Sequence, residues 1–215
     1  MLALVEAIQR MRDTKTDLLN CGKKLFSSKG FKDTNVSDIT KMAGIGVGTF
    51  YNYYASKEKL FMEIFLQENA NLKKSIMEAV NLDDDPFKVI KEIMSLNLIG
   101  MNSNPILKEW YNRDVFNRIE QQYREDNGIG HVDFLYNHFV ELIKRWQAEG
   151  KMRDDIDSGL IMAFFSALIN IDTHKDEIGI QYFPQILDYL GEFTMKGLTA
   201  GLNPHIEKSN KEDCQ

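Results

Sequence analysis

Thr49, Tyr51, Asn52 and Tyr53 bring four hydrogen-bonding side chains into five residues, with Ser37 upstream and Lys57 downstream. No nucleophile lies at a recognisable spacing from a base and an orienting acid, so the chemistry on offer is recognition. Thr and Tyr hydroxyls suit phosphate oxygens, and an asparagine amide can pair with two edge atoms of adenine. A lysine at a helix start suits a phosphate, helped by the free N–H groups there. Gly48 would let the backbone approach such a partner. Ser37 is a second phosphate or base candidate. Tyr51 and Tyr54 have a competing reading as packing residues, and for Tyr54 that reading is preferred.

These side chains need elements to hold them. Asn35 reads as an N-cap with Asp38 three residues on, close to a capping box. Ile39, Met42 and Ala43 give the helix that follows one apolar face. Gly44 comes where a left-handed residue would end that helix, and glycine alone escapes the Cβ penalty there. Ile45 would plug the angle, and a second helix is expected from about Val47 to Tyr53 with Phe50 inward. Two short helices joined by a glycine-containing turn form a helix-turn-helix, whose second helix can enter a DNA major groove. A preceding helix is expected over about Thr14–Lys29, capped by Asp13 or Thr14. Leu18, Gly22, Leu25 and Phe26 mark its packed face. Gly30 stops it, and Phe31 folds back in a Schellman arrangement.

Gly44-x-Gly46-x-Gly48 loosely matches a phosphate-cradling loop, but the required preceding strand and spacing are missing. The histidines at 131, 138, 174 and 205 lack HExxH spacing or clustered Cys. Asp172 with His174–Glu177 reads more simply as a polar helix end. No metal, cofactor or enzymatic activity is expected. The chain of 215 residues can bury a sizeable core, and its 43% apolar and 27% charged residues are ordinary for a globular protein. There is no run of 18 apolar residues and no signal-peptide pattern, and the two cysteines are far apart. A cytoplasmic protein without membrane partners is the expectation. The net charge of −6 conceals a division: residues 1–60 hold ten Lys/Arg against six Asp/Glu, and the remainder sixteen against twenty-six. A basic head on an acidic body suits a DNA-binding module attached to something else.

The run Leu25-Phe26, Gly30-Phe31, Thr34-Asn35-Val36, Asp38-Ile39, Ala43 to Tyr54 and Ser56 to Leu60 resembles the N-terminal domain of the TetR family of bacterial transcriptional regulators. The resemblance covers about Thr14–Phe65. It implies DNA contacts at Ser37, Val47, Gly48, Thr49, Tyr51, Tyr53 and Lys57, and side-chain direction adds Asn52. Two positions depart from the pattern. Ser is common where Gly46 stands, and Lys or another polar residue is frequent where Val47 stands. Specificity is therefore expected to lean on Thr49, Asn52 and Ser37.

Beyond the head, Ser56 would cap a long helix over Lys57 to about Val80. Asp85-Pro86 opens a helix to about Met101, and Asn104-Pro105 opens one through about Asn112. Further helices are expected over about Asp114–Asp126 and His131–Glu149, with a break at Asn127–Gly130 between them. Leu160–Ile169 is apolar all round and must be covered all round. The final helix, about Gln181–Ala200, covers one side, and an identical subunit could cover the other. The resemblance implies a dimer formed through these last two helices, with Phe164, Ala167, Leu168, Ile186, Leu190, Phe193 and Gly197 as interface candidates. It also implies a small-molecule effector in the body. Asn97, Met101, Trp110, Phe116, Tyr123, Phe134, His138 and Phe165 are the lining candidates, with ordinary core as the competing reading of each.

The fold expected is all-α, about nine or ten helices in all. Residues 1–56 form a three-helix DNA-binding head, 57–203 a larger helical-bundle domain for effector and dimer, and 204–215 a tail. The function expected is a ligand-responsive regulator, a repressor binding palindromic double-stranded operator DNA as a homodimer and released by an apolar or amphipathic effector. The alternatives are the same fold controlled by a protein partner, and an all-helical small-molecule enzyme with a vestigial head.

Overall fold

The computed structural model describes residues 2–125, 133–183 and 185–199, and every regular element among them is helical. The expected all-helical architecture is observed. In chain order the helices are α1 (Leu2–Asp33), α2 (Val36–Ala43), α3 (Val47–Phe50), α4 (Lys57–Ala79), α5 (Pro86–Ser103) and α6 (Pro105–Lys108). After a 3-10 turn over Glu109–Tyr111 come α7 (Arg113–Glu125), α8 (Asp133–Ala148), α9 (Ser158–Asn170), α10 (Lys175–Ile178) and α11 (Gln185–Thr199). The helices pack into two compact units. One is built on the chain up to Glu78 with the stretch from Leu96, the other on Ala79–Ser95 with the stretch from Asp133. This division follows packing and does not fall at the boundary expected at residues 56 and 57.

In the first unit Leu18, Phe26 and Phe31 of α1, Ile39 of α2, Phe50 of α3 and Leu60, Phe61 and Ile64 of α4 are fully or almost fully buried. The rings of Phe26, Phe31 and Phe61 meet at 4.9–6.0 Å, two of the three pairs edge-on, as aromatic quadrupoles prefer. Gly22 brings α1 close to α4, since a Cβ there would come within 2.9 Å of Leu60 Cδ2. The second unit is centred on Trp146 of α8, with Leu142, Ile143, Ile161, Phe165, Met195 and Leu198 buried.

Local signals set several helix starts. Ser56 Oγ accepts the Lys59 amide at 3.2 Å, and Asp85 Oδ1 accepts the Phe87 and Lys88 amides. Asn104 Oδ1 accepts from Ile106 and Leu107 while its amide donates to Glu68 Oε2 at 2.9 Å.

Four expectations are corrected. α1 begins at Leu2 and not at a cap on Asp13 or Thr14; the helical ladder runs through, and the Thr16 hydroxyl bonds back to the Arg12 carbonyl at 2.9 Å. Gly30 ends the regular helix at φ 82° and ψ 170°, outside the left-handed helical well of a Schellman cap. The Phe31 amide instead donates to Glu109 Oε1 at 2.8 Å. The helix expected through Asn112 ends at Lys108 and tightens into a 3-10 turn. The last helix starts at Gln185, because Gly179 at φ 116° starts a separate 3-10 turn over Ile180–Tyr182. The break at Asn127–Gly130, the start at His131 and the tail at 204–215 lie outside the described residues.

Candidate nucleic-acid interface

The helix-turn-helix is assembled by the caps its sequence provides. Asn35 is extended at φ −121°, and its Oδ1 accepts the Asp38 amide at 2.8 Å. Gly44 sits in the left-handed region at φ 68°, and the Ile45 amide reaches back to the Thr40 carbonyl at 3.0 Å. Those bonds close α2 and turn the chain into α3. A Cβ on Gly44 would touch nothing within 4 Å, so its requirement is conformational alone. Gly44→Ala is expected to cost about 1–2 kcal/mol, the left-handed penalty, read as a lower urea midpoint with an unchanged slope.

α3 is a single regular turn over Val47–Phe50, shorter than the helix expected through Tyr53. The chain continues in helical turns: the Tyr53 and Tyr54 amides both bond the Phe50 carbonyl, at 2.9 and 3.0 Å. Gly46 caps α3 with backbone only. Phe50 is fully buried and anchors the element, and Tyr54 is 4% exposed, as its packing role required. Burial first, and then the neighbouring Glu63 carboxylate, push the Tyr54 phenol pKa up, so it remains neutral.

The outward residues are those with the chemistry for recognition. Ser37, Gly48, Asn52 and Tyr51 are exposed, and Val47 is 45% exposed. Thr49 is half-buried. The Tyr51 ring stands edge-on to Phe50 at 5.4 Å, and the residue is 56% exposed. Tyr53 is only half-exposed; it packs on the head core and borders a groove with Lys15 and Leu66.

Lys57 is placed differently from the expectation of a simple phosphate ligand. Its ammonium donates to the carbonyls of Phe31 and Thr34, at 2.7 Å each, and lies 4.2 Å from the centroid of the Phe31 ring. Burial lowers its pKa. At most one of its three N–H groups is left for another partner. The charge therefore ties the α1–α2 connection to the start of α4. Thr34 Oγ1 to the Gly30 carbonyl at 2.8 Å and Glu109 on the Phe31 amide complete the junction.

Lys41 is a further cation on this face, absent from the candidates expected from sequence. It is exposed on α2, one turn after Ser37, and its ammonium forms no ion pair among the described residues. By contrast, Lys29 is held by Asp38, Lys32 by Asp114 and Lys23 by Glu68. The four-residue spacing of Ser37 and Lys41, which puts both on one helix face, was the available signal.

The other candidates fall in both units. In the first, Trp110 stacks on Phe65 at 5.1 Å and meets Phe116 edge-on at 4.8 Å, with Met101 buried and Asn97 half-buried. In the second, Phe165 is 7% exposed and His138 is exposed. α8 turns Leu142, Ile143 and Trp146 inward, which leaves His138 on the rim of that face. The side chains of Tyr123 and Phe134 lie outside the described residues.

Of the interface candidates, Phe164, Ala167, Phe193 and Gly197 are exposed or half-exposed, and Ile186 and Leu190 lie on the same helix as Phe193. Leu168 is buried in its own unit, a correction to its place among the interface candidates. Leu160 at 51% and Tyr189 at 57% join the exposed set, although neither was expected there. Leu160, Phe164 and Ala167 form one stripe on α9, and Tyr189, Phe193 and Gly197 form another on α11. Tyr189 and Phe193 stack on each other at 6.0 Å.

No three His, Cys, Asp or Glu among the described residues gather to hold a metal, and no described helix is long and apolar enough to cross a membrane. Fold and site together define a helix-turn-helix module. A family model described as bacterial regulatory proteins, tetR family, matches residues 18–64. The HTH-type transcriptional regulator AcrR of Shigella flexneri is 30% identical over 87 residues, 40% of this chain and 40% of that protein. The chain thus matches less than half the length of that relative. The HTH-type transcriptional repressor KstR2 of Rhodococcus jostii is 23% identical over 189 residues, 82% of this chain and 90% of that one. The solved structure of RolR with its ligand resorcinol has the same fold, with a TM-score of 0.63 at 15% identity over 88% of this chain and 89% of that one. The helix-turn-helix head is thus similar to that of the tetR family of bacterial regulatory proteins.

Proposed function

We propose that the protein is a homodimeric repressor that binds a palindromic operator through α2 and α3 and releases it when a small apolar or amphipathic molecule binds. The observation that carries this reading is the outward face of the helix-turn-helix. Ser37, Lys41, Val47, Thr49, Tyr51 and Asn52 lie there, while Phe50 and Tyr54 anchor the element from behind. Ser37, Lys41 and Tyr51 suit phosphates, and Asn52 and Thr49 suit base edges. Gly48, with open space where a Cβ would stand, allows close backbone approach.

The outward apolar stripes on α9 and α11 favour a two-fold dimer, because a second copy would bring an identical face against them. A dimer supplies two recognition elements for two half-sites. The aromatic group of Trp110, Phe65 and Phe116, with Asn97 and Met101 in the same unit, supplies the apolar surface and the one amide that an effector would use. RolR, of like fold, is described with resorcinol bound, which favours a small molecule over a protein partner as the controlling signal. Effector binding weakens DNA binding, and linkage requires DNA to weaken effector binding by the same factor.

The test is recovery of genomic fragments by the purified protein, followed by alignment of the bound sequences. A shared inverted repeat is expected, with half-sites one helical turn or a multiple apart. Recovery that tracks only fragment length would contradict the proposal.

A further inference from the structure

The start of the recognition element is apolar and open. Val47 is the first residue of α3, is 45% exposed, and lies between Gly46 and Gly48. A Cβ on Gly48 would meet nothing within 4 Å, and one on Gly46 only Thr49 Oγ1, at 3.9 Å. Across the turn, Met42 at the end of α2 is 43% exposed. The residues of a recognition helix that meet base edges are those near its N-terminus. Here that turn reads Val-Gly-Thr-Phe, with Phe50 buried, and it carries no amide or charged side chain. The bidentate pairings that read guanine with Arg or adenine with Asn are therefore not available from it. Beside the Thr49 hydroxyl, what it offers is methyl groups, and the major-groove feature that accepts methyl contact is the C5-methyl of thymine.

We infer that Val47 is a specificity-determining residue that reads a thymine methyl group in each operator half-site, a reading that rests on the proposed DNA-binding function. Flanking glycines strengthen it. With no side chain at 46 or 48, the Val47 methyls can reach the groove floor without a neighbour holding the backbone away. Cytosine presents an amino group and no methyl at that place in the groove, so the same contact discriminates against it.

The experiment replaces thymine by uracil, one position at a time, in a genomic fragment that the protein has been shown to bind. Uracil pairs as thymine does and lacks only the methyl. At one position in each half-site the substitution is expected to weaken binding about fourfold, and about fifteenfold when made in both, the value of one buried methyl-sized group per site. Val47→Ala should lower affinity for the thymine fragment by a similar factor and remove the difference between thymine and uracil. Val47→Thr, which keeps one methyl, should retain part of it. The position is exposed and Ala favours helix, so circular dichroism should show both variants folded. Binding that is indifferent to uracil at every position overturns the inference, as does an undiminished uracil effect in Val47→Ala. A protein that binds no genomic fragment overturns the DNA-binding reading itself, and this inference with it.

Discussion

Lys57→Met is expected to lower the stability of the folded protein by about 2–3 kcal/mol, the scale of losing hydrogen bonds made by a charged group. The ammonium joins the Phe31 and Thr34 carbonyls to the first turn of α4 and rests on the Phe31 ring. Methionine keeps most of the packing of the stem but supplies no donor, so both carbonyls lose their partner. The loss should appear as a lower urea midpoint. If the dominant role is structural, the salt dependence of DNA binding by the folded fraction stays close to that of the native protein. A Lys57→Met protein of native stability would show that the two carbonyl bonds are not needed to hold the junction.

The second large effect concerns the stripes on α9 and α11. Phe193 is 62% exposed and stacks on Tyr189, and Phe164 is 42% exposed on α9. Central aromatic residues carry most of the energy of such interfaces. Phe193→Glu places a carboxylate on the stripe, and two-fold symmetry brings in its copy as well. The dimer dissociation constant should rise at least about a hundredfold, roughly 3 kcal/mol. Sedimentation velocity at micromolar concentration should show monomer, and operator affinity should fall sharply because each monomer holds one half-site. A Phe193→Glu protein that sediments as a dimer would move the interface elsewhere.

Much of the fold could be read locally. Asn35, Gly44, Ser56, Asp85-Pro86 and Asn104-Pro105 each act within a few residues of themselves, and each does what its type dictates. Features that depend on tertiary partners were not legible. Phe31 receives its cap from Glu109, 78 residues away in sequence, so a standard glycine stop was the only local expectation. Lys57 looked like a phosphate ligand because helix starts attract phosphates, and nothing local reveals two carbonyls waiting at its tip. Asp13 and Thr14 are good caps that also tolerate a helix interior, so α1 could not be bounded from them. On α9 the stretch is apolar on all sides, and periodicity cannot tell Leu160, which faces out, from Leu168, which faces in.

The site divides in the same way. Ser37, Tyr51 and Asn52 were singled out from type and spacing, and each is exposed. Lys41 is one lysine among several in the head, and only the ion pairs formed by Lys23, Lys29 and Lys32 set it apart. Val47 stands out in sequence as the loss of a polar group, whereas its exposure between two open glycines makes it a candidate reader.

Salt dependence tests most directly whether the α2–α3 face meets DNA. Binding of a recovered operator fragment should be measured across a range of salt for the native protein and for Lys41→Ala. Removing one phosphate contact reduces the slope of log K against log salt by about 0.9, so the change in two subunits should lower it by about 2. Native steepness retained in Lys41→Ala, with affinity unchanged, would contradict the account and move the DNA surface off this face.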